Sequence, residues 1–352
     1  MQQDGIANFC INSLKSSMEF RLEFTPQPFN QKINHRQQLL LIGSCFTENI
    51  GSKLKHLKFS VLENPNGILF NPISIVQSLH SYIGNKQYTE ADLFYQNECW
   101  NSWQHHSRFS HPDKAVCLQM INESQQAAHH ALKTAGWLMI TVGSAFVYER
   151  LGPAAVGVAE GDDSNMVVAN CHKVPTDKFN KRLLSPVEIV HAFSTVLEEI
   201  FAFNPAVRVI FTISPVRHLR DGFVENNRSK ATLIQAVHQL TDNHQQLFYF
   251  PAYELVIDDL RDYRFYAEDM VHPNYAATNY VWEKFIATCI DENSQQLMKE
   301  INIINVAKNH KAFNPLSLAH RKFLQANLQK VIALKDHHSY LNLQEEFIHF
   351  GG

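Results

Sequence analysis

Four short apolar runs along the chain have the pattern of buried β-strands. Each run is continuous in apolar residues and is bounded by turn-forming residues, as expected of strands that are covered on both faces. The runs are QLLLIG at 38–43, WLMITVG at 137–143, VRVIFTIS at 207–214 and LFYFPAY at 247–253. We therefore predict a mainly parallel sheet that contains these four strands.

Helical patterns lie between the apolar runs. The segments are FTENIGSKLKHL after the first run, ESQQAAHHALKTAG before the second and SPVEIVHAFSTVLEEIFAF before the third. The last segment begins with Ser185, Pro186 and Glu188, a combination typical of a capped helix N-terminus. Alternating strands and helices predict an α/β fold, a three-layer α/β/α sandwich whose ligands bind at the carboxyl ends of the strands.

The pattern changes near the C-terminus. Residues 294–352 are mostly helical in pattern and are interrupted once, at Asn314-Pro315. We predict a main domain over 1–293, with an N-terminal extension and insertions, and a helical C-terminal appendage over 294–352. For residues 1–17, a native extension and a start assigned too early both stay open.

Charge and composition restrict the partners and the location. A formal net charge of −3 at pH 7 gives no long-range attraction to nucleic acid or to an anionic membrane. No segment approaches the roughly 20 apolar residues that span a bilayer, and the N-terminus lacks the apolar core of a signal peptide. We therefore expect a cytoplasmic protein with no nucleic-acid partner.

The six cysteines form no C-x-x-C pair, so we expect reduced thiols.

The first predicted strand leads directly into a candidate nucleophile. LLLIGSCFTENIG places Ser44 at the carboxyl end of the strand and at the start of a helix. The unpaired N–H groups and partial positive charge of a helix N-terminus stabilise an oxyanion on an attacked carbonyl. Alternatively, Ser44 only caps the helix, and this segment taken alone favours that role.

A matching base lies late in the chain, in YAEDMVHPNYAATNYVWEKF. Because a serine hydroxyl is a poor nucleophile at neutral pH, a histidine has to take its proton while a carboxylate orients the imidazole. Asp269 and His272 stand three residues apart before a helix, and Pro273 favours an extended loop for His272. The alternative is a surface turn with an incidental Asp and His. We expect this pair to converge with Ser44 at one edge of the sheet.

These motifs carry a resemblance to a known family. GSCFT at 43–47 resembles the signature of the GSCFA-domain family, which belongs with the SGNH/GDSL hydrolases. The similarity extends over roughly residues 20–290, through NPNGILFNP (64–72), WNSWQHHSRFS (100–110), ITVGSAFVYE (140–149), NCHKVP (170–175), ISPVRHLRDG (213–222) and EDMVHPN (268–274). The resemblance implies a flavodoxin-like SGNH hydrolase fold, with Ser44 as the first-block serine and Asp269 and His272 as the last-block pair.

The resemblance also suggests how an oxyanion hole is built. The second-block glycine, whose N–H usually joins the hole, corresponds to Gly67. The third block of SGNH enzymes usually reads G-x-N-D, whereas this chain reads GSAF at 143–146, so the asparagine is absent. We expect Asn170 to supply the missing donor, with His172 beside it.

Five residues are expected to contact a substrate. The segment WNSWQHHSRFSHPD resembles a family-specific insertion, and its His106 and Ser107 suit a pocket wall, with a packed loop as the alternative. Gly143 and His172 belong to the segments just described. Arg217, which precedes a histidine, follows the third strand and should lie at the ligand edge of the sheet, where a salt bridge is the alternative.

A histidine cluster raises the question of a metal site. His105, His106 and His111 lie close together in sequence, but no carboxylate or thiolate accompanies them at a familiar spacing. We expect no metal. The paired His129 and His130 fall in a polar helical pattern, where solvated surface histidines are the usual case.

The sequence therefore predicts a serine esterase that forms an acyl-enzyme on Ser44 and uses no cofactor. The expected substrates are small-molecule or glycan esters, with acyl lipids and thioesters included, and the sequence gives no oligomeric state. Acyl transfer by the same triad and a non-catalytic module that binds a glycan or acyl ligand are the alternatives.

Cys45 is a competing nucleophile. We expect serine to act, because the next residue should turn into the helix and pack as a small hydrophobe.

Overall fold

The predicted strands form a parallel sheet, which gains one edge strand and is accompanied by two hairpins. The computed structural model describes residues 21–151, 166–242 and 244–352, and the predicted extension at 1–17 lies outside them. The strands are β1 (Gln38–Gly43), β2 (Ser60–Glu63), β3 (Phe94–Gln96), β4 (Cys99–Asn101), β5 (Ala135–Val142), β6 (Phe146–Arg150), β7 (Phe179–Leu183), β8 (Arg208–Ile213) and β9 (Leu247–Tyr249).

Helices connect most of the strands. They are α1 (Cys45–His56), α2 (Pro72–Ile83), α3 (Lys114–Thr134), α4 (Pro186–Phe203), α5 (Gly222–Thr241), α6 (Ala252–Glu254), α7 (Tyr275–Cys289), α8 (Glu292–Lys308), α9 (Leu318–His337) and α10 (Gln344–His349). The N-terminus of α4 carries the predicted capping box, in which Ser185 and Glu188 each accept the other's backbone N–H. Within the described ranges, no helix has the length and apolar character that a bilayer span requires.

The strand order places a crevice in the middle of the sheet. The order is β2-β1-β5-β8-β9, and every neighbouring pair is parallel. The chain runs from β1 to the edge strand β2 and then crosses to β5 on the other side of β1. The order therefore reverses between β1 and β5, and ligands of open α/β sheets bind at the carboxyl ends of such strands.

Alternate side chains of the strands enter two separate cores. Leu40 and Ile42 of β1 pack on the face covered by α2–α5. Leu39 and Leu41 pack on the opposite face, against α1 and α7–α9. All four side chains are at most 2% exposed. The sheet thus lies between two helical layers, and the predicted three-layer α/β/α sandwich is confirmed.

The C-terminal helices complete the second of these cores. Ile301 of α8 and Val331 of α9 are buried there together with residues of α1 and β1. The Asn305 side chain donates a hydrogen bond to the carbonyl of His56, at the end of α1. The predicted Asn-Pro interruption lies between α8 and α9. The helical C-terminal appendage is therefore present and covers the α1 side of the sheet.

Two antiparallel hairpins are not indicated by the apolar pattern. One is formed by β3 and β4 and the other by β6 and β7. Their residues are mostly half-exposed and carry polar side chains, so they lack the continuous apolar runs of the central strands. Because β6 begins soon after β5 ends, the β6–β7 hairpin extends from the carboxyl end of the sheet and is placed to form a wall beside it.

The carboxyl end of β1 requires a glycine. Gly43 has φ +148°, a value that L-residues rarely adopt. A Cβ atom at this position would lie 2.3 Å from the carbonyl oxygen of Thr141 in β5. The same oxygen accepts the Ser44 N–H at 3.3 Å. The missing side chain therefore lets the ends of β1 and β5 approach each other, and this approach positions Ser44.

We predict that Gly43→Ala destabilises the fold by about 3 kcal/mol or more, because backbone strain and overpacking each cost about 1–3 kcal/mol. Urea unfolding measures the loss. Gly222→Ala is the matched control, since Gly222 has φ +88° but a Cβ there meets nothing within 4 Å. It should therefore show the strain alone. Equal losses in the two variants would mean that the contact with Thr141 is not decisive.

Candidate active site

Ser44 lies where β1 ends and α1 begins. Its side-chain oxygen accepts the Phe46 N–H at 3.3 Å, so Ser44 is the N-cap of α1. The residue is only 3% exposed. The capping role that the sequence offered as an alternative is thus present. Since 3.3 Å is longer than the usual range of about 2.7–3.2 Å, this capping bond is weak.

The loop after β2 holds the end of β1. Asn64 Oδ1 accepts the Gly43 N–H at 2.8 Å, and the Gly43 carbonyl accepts the Leu69 N–H at 3.0 Å. Gly67, in the same loop, has φ +79° and donates its own N–H to the Asn64 carbonyl at 2.7 Å. The loop therefore runs along the carboxyl end of β1, and the N–H that the sequence assigned to an oxyanion hole is engaged in a turn.

A close contact joins this loop to the insertion at 100–110. A Cβ on Gly67 would lie 2.2 Å from His106 Cβ, and the His106 N–H donates to the Asn66 carbonyl at 2.8 Å. Burial, followed by the nearby Arg108 charge, lowers the pKa of His106. Ser107 is exposed in the same short 3₁₀ turn. The insertion packs against the Gly67 loop, and substrate contact by His106 and Ser107 stays a prediction.

The histidines of the insertion have separate partners within the protein. His105 is buried, and its Nδ1 is 2.9 Å from the Ser102 hydroxyl. His111 Nδ1 is 3.0 Å from the Asp113 N–H nitrogen, from which it accepts. In the part of the chain that the structure describes, no group of three or more His, Cys, Asp or Glu side chains is arranged to hold a metal ion.

Asn170 and His172 form a turn against buried aromatic rings. Asn170 Oδ1 accepts the His172 N–H at 2.7 Å, and His172 Nε2 donates to the Ser102 carbonyl at 2.9 Å. The His172 ring stands edge-on to Phe94 and Trp103, and burial lowers its pKa. His172 therefore orients Asn170, whereas its predicted contact with a substrate stays a prediction.

A cavity of about 380 Å³ lies beside this turn. Its walls include Ser144, Phe146, Tyr148, Asn170 and His218. Ser144 follows the glycine turn after β5, and the two aromatic residues come from the β6–β7 hairpin. The Asn170 amide nitrogen has no hydrogen-bond partner among the described residues, while its oxygen is held by the turn. The amide is thus able to donate to a ligand in the cavity.

A buried lysine holds the turn after β5. Gly143 donates its N–H to the Phe70 carbonyl, and its own carbonyl accepts from Lys230 Nζ, both at 2.7 Å. Lys230 belongs to α5 and also donates to the carbonyl of Ser214, which follows β8, at 2.6 Å. The residue is 2% exposed, and burial lowers the pKa of its ammonium to about 7. One side chain thus joins the carboxyl ends of two central strands.

Lys230 is not among the site residues predicted from the sequence, although the sequence contains a signal for it. The buried face of α5 includes Asn226, Lys230, Leu233 and Val237, at the spacing of one helical stripe. A lysine is rarely buried unless its ammonium is hydrogen-bonded. A lysine on the apolar stripe of a predicted helix could therefore have marked this position.

Asp269 and His272 form a hydrogen-bonded pair on the loop before α7. His272 Nδ1 donates to Asp269 Oδ2 at 2.7 Å, and Asp269 Oδ1 accepts the N–H groups of Val271 and His272 at 2.9 and 3.0 Å. The backbone bond from His272, its side-chain bond and the Val271 N–H lower the pKa of Asp269 to about 2. The charged carboxylate therefore fixes the proton on Nδ1 and leaves Nε2 as a base.

Arg217 braces the loop that carries this pair. Its backbone N–H donates to the Val271 carbonyl at 3.2 Å, and its guanidinium donates to the Met270 carbonyl at 3.3 Å. The guanidinium carbon also lies 4.1 Å from the centroid of the Tyr266 ring. Arg217 thus has a structural function that differs from both the salt bridge and the substrate contact considered from the sequence. The substrate contact stays a prediction.

His218 lies between the Gly143 turn and the His272 loop. Its Nε2 is buried, has no partner among the described residues and lies 3.2 Å from the position of a Cβ on Gly143. The ring packs against Phe70, with centroids 5.2 Å apart. Burial, followed by the charges of Lys230 and His272, lowers the pKa of His218 to about 4. The imidazole is therefore neutral at pH 7.

Cys45 does not pack behind Ser44 as expected. Its thiol is partly exposed, whereas Ser44 is buried. Burial, reinforced by the Glu48 carboxylate, nevertheless raises the pKa of the Cys45 thiol. The thiolate is scarce at neutral pH, which makes Cys45 a weak nucleophile. The other described cysteines, also free thiols, are Cys99, Cys117, Cys171 and Cys289.

Ser44 and His272 lie at the same edge of the sheet without a direct bond. Ser44 follows β1, and the His272 loop is attached to the segment after β8 through Arg217. No hydrogen bond joins the two side chains within the described ranges. The predicted triad of Ser44, Asp269 and His272 therefore stays a prediction.

Comparison with known proteins identifies the family. The family model of the GSCFA family matches residues 38–285, and that of the GSCFA domain protein C-terminal domain matches residues 301–351. None of the curated proteins matches the chain. A carbohydrate esterase family 3 crystal structure from Talaromyces cellulolyticus is similar, with a TM-score of 0.34, 10% identity and coverage of 76% of this chain and 99% of that chain. An acetyl esterase mutant with an acetate ion has a TM-score of 0.33, 11% identity and the same coverages of 76% and 99%. Because the first family model spans most of the chain, the protein belongs to the GSCFA family.

Proposed function

We propose that this GSCFA protein is a serine hydrolase of the SGNH type, which cleaves a carboxylic ester through an acyl-enzyme on Ser44. The observation that carries the proposal is the Asp269–His272 pair, in which a charged carboxylate accepts the imidazole Nδ1–H at 2.7 Å. Two further backbone N–H groups bind the same carboxylate. The two backbone bonds are those of an Asx turn, whereas the bond from the imidazole Nδ1–H holds His272 in the tautomer that a base needs.

The proposed reaction begins with attack of Ser44 Oγ on the ester carbonyl carbon. The serine proton passes to His272 Nε2, and the carbonyl π electrons move onto the oxygen. Collapse of the tetrahedral intermediate expels the alcohol, which takes the proton from His272, and leaves Ser44 acylated. Water then repeats both steps and releases the carboxylic acid. Asp269 stays ionised throughout and stabilises the imidazolium, consistent with its pKa of about 2.

Ser44 has to leave its capping bond before it attacks. The 3.3 Å bond to the Phe46 N–H is weak, so its loss costs at most about 0.5–1.5 kcal/mol. Rotation of Ser44 also frees the Phe46 N–H at the positive end of α1, where it can bind the developing oxyanion. In this proposal the capping role and the catalytic role of Ser44 follow each other.

Asn170 is the proposed side-chain donor of the oxyanion hole. Its oxygen is held by the His172 N–H, its nitrogen has no partner among the described residues, and it lines the cavity beside Ser144. Gly67 is the second proposed donor. Its N–H is bonded to the Asn64 carbonyl at 2.7 Å, so it joins the hole only by sharing that hydrogen.

The cavity supports a small acyl or sugar ester as the substrate. Its volume of about 380 Å³ lies within the range of small-molecule pockets. The Phe146 and Tyr148 side chains offer aromatic surface, and Asn170 offers a polar group. Such a combination suits an acetylated sugar or a short acyl chain, and the reaction itself requires no cofactor.

We predict that a fluorophosphonate probe labels the wild-type protein and that Ser44→Ala abolishes labelling, because the probe reacts with an activated serine. Cys45→Ala is the matched control and should retain most of the labelling, since the raised pKa of the Cys45 thiol disfavours its thiolate. Mass spectrometry of the labelled peptide gives the site. Activity of Ser44→Ala that thiol reagents block would instead indicate a cysteine enzyme, and an unlabelled wild type would indicate a binding module.

We predict that Asn170→Ala lowers kcat for p-nitrophenyl acetate by about 10²-fold or more, as the loss of one oxyanion donor normally does. KM should change little, because the bond strengthens only in the transition state. Asn180→Ala is the control, since Asn180 is an exposed residue of β7 that bonds to Glu149. Full turnover by Asn170→Ala would exclude this donor.

A further inference from the structure

We propose that His218 is a catalytic residue, whose imidazole Nε2 donates a hydrogen bond to the acyl oxygen of the ester as negative charge develops on it. The inference rests on the proposed hydrolase function and deepens it. His218 would supply a donor from the segment after β8, next to the Gly143 turn, where this chain lacks the asparagine of the usual third block.

Among the residues that the structure describes, none is a hydrogen-bond partner of the His218 Nε2 atom. The atom is buried and lies 3.2 Å from the position of a Cβ on Gly143. The His218 backbone is fixed, since its N–H donates to Asn226 Oδ1 at 2.8 Å, and the ring packs against Phe70. A buried polar group without a partner costs about 1–3 kcal/mol. An acyl oxygen that accepts from Nε2 would remove this cost.

The position of His218 fits an acyl oxygen better than a distant part of a substrate. His218 lines the same cavity as Asn170 and Ser144. The charge of His272 also contributes to the lowered pKa of His218, so the two imidazoles lie near each other. The His218 ring thus borders the cavity, and its buried Nε2 atom meets an acyl oxygen when the ring turns toward the bound ester.

The charges around His218 keep it a donor rather than a base. Burial has the largest effect and disfavours protonation of His218. The charges of Lys230 in α5 and of His272 in the loop before α7 also disfavour it, whereas the charge of Asp221 favours it. With a pKa of about 4, His218 accepts no proton from Ser44 at neutral pH. The neutral ring carries one N–H, and a donation from Nε2 requires that it be placed there. The two imidazoles thus have separate functions.

The competing interpretation is that His218 only fills space between Phe70 and Gly143. His218→Phe tests it, because phenylalanine keeps the ring and removes the donor, while His218→Gln keeps an N–H group. His191→Gln is the control, since His191 is exposed on α4. Rates of fluorophosphonate labelling and of p-nitrophenyl acetate hydrolysis are compared for all variants.

We expect His218→Phe to lower kcat by about 10²-fold with little change in KM. The kcat of His218→Gln should be roughly tenfold higher than that of His218→Phe. His191→Gln should match the wild type. If Ser44 is labelled and His218→Phe keeps the wild-type kcat, the inference is overturned while the proposed function stands.

A second measurement tests the donor atom of His218 independently of turnover. In Ser44→Ala protein, acetate is titrated and the imidazole ¹⁵N signals are followed, with His218 assigned from its absence in a His218→Gln variant. We expect the Nε2 signal of His218 to report a protonated nitrogen at pH 7 and to shift as acetate binds. An Nε2 that carries no proton, or that does not respond to acetate, overturns the inference regardless of the labelling result.

We also predict that Lys230→Met raises the pKa of His218 from about 4 toward the ordinary value of 6.5, because a positive neighbour disfavours the imidazolium. The stability linked to the lowered pKa is present above pH 6.5 and is lost as the pH falls toward 4. This loss should be smaller in the variant. An NMR pH titration measures the shift, and Lys178→Met is the control, since Lys178 is not among the groups that affect His218. An unchanged pKa of His218 would mean that the Lys230 charge does not act on the His218 imidazole.

Discussion

The candidate site depends on the close approach of β1 and β5 at their carboxyl ends. This approach exists because Gly43 has no side chain where the Thr141 carbonyl passes. The loop after β2 then crosses both strand ends, and its Phe70 carbonyl accepts the N–H groups of Gly143 and Ser144 at 2.7 and 3.1 Å. A helix start, a glycine loop and a glycine turn are thereby brought to one crevice. The chemical groups come from distant parts of the sequence, but this backbone contact sets their separation.

Two charges of opposite sign border the crevice in different environments. The Asp269 carboxylate is half-exposed and is stabilised by three hydrogen bonds. The Lys230 ammonium is fully buried, and the carbonyls of Gly143 and Ser214 replace part of its lost hydration. Between them, His218 is kept neutral. In the proposed mechanism, this separation allows His272 to serve as a base and His218 to serve as a donor without both imidazoles becoming charged in the same space.

The sequence predicts the features that depend on local patterns. The continuous apolar run at 38–43 identifies β1, and the capping box at Ser185 identifies the start of α4, since both depend on neighbouring residues alone. The bond between Asp269 and His272 is also local, because three residues separate the partners. The sequence does not predict the hairpin strands, since their polar side chains give no continuous apolar run.

Several properties of the site depend on contacts between distant segments, and the sequence alone does not predict them. Lys230 binds the carbonyls of Gly143 and Ser214, and its role is visible only when α5 is packed on β5 and β8. The Gly67 N–H donates to the Asn64 carbonyl within a turn, and the motif that contains Gly67 does not predict this bond. Cys45 is partly exposed at the start of α1, a property that depends on how the surrounding segments pack. A motif specifies which residues are present, whereas these properties depend on the partners that the fold provides.

The resting position of Ser44 has a consequence for how a substrate could be recognised. The hydroxyl is buried and bonded to the Phe46 N–H, while the Asp269–His272 pair is half-exposed. Rotation toward the base exchanges the capping bond for a bond to His272 and leaves the Phe46 N–H without a partner. A bound ester whose carbonyl oxygen accepts that N–H restores the missing bond. In the proposed mechanism, activation of the serine is then favoured when a carbonyl group is already in place, and the same N–H caps the helix in the free protein and binds the acyl oxygen in the complex.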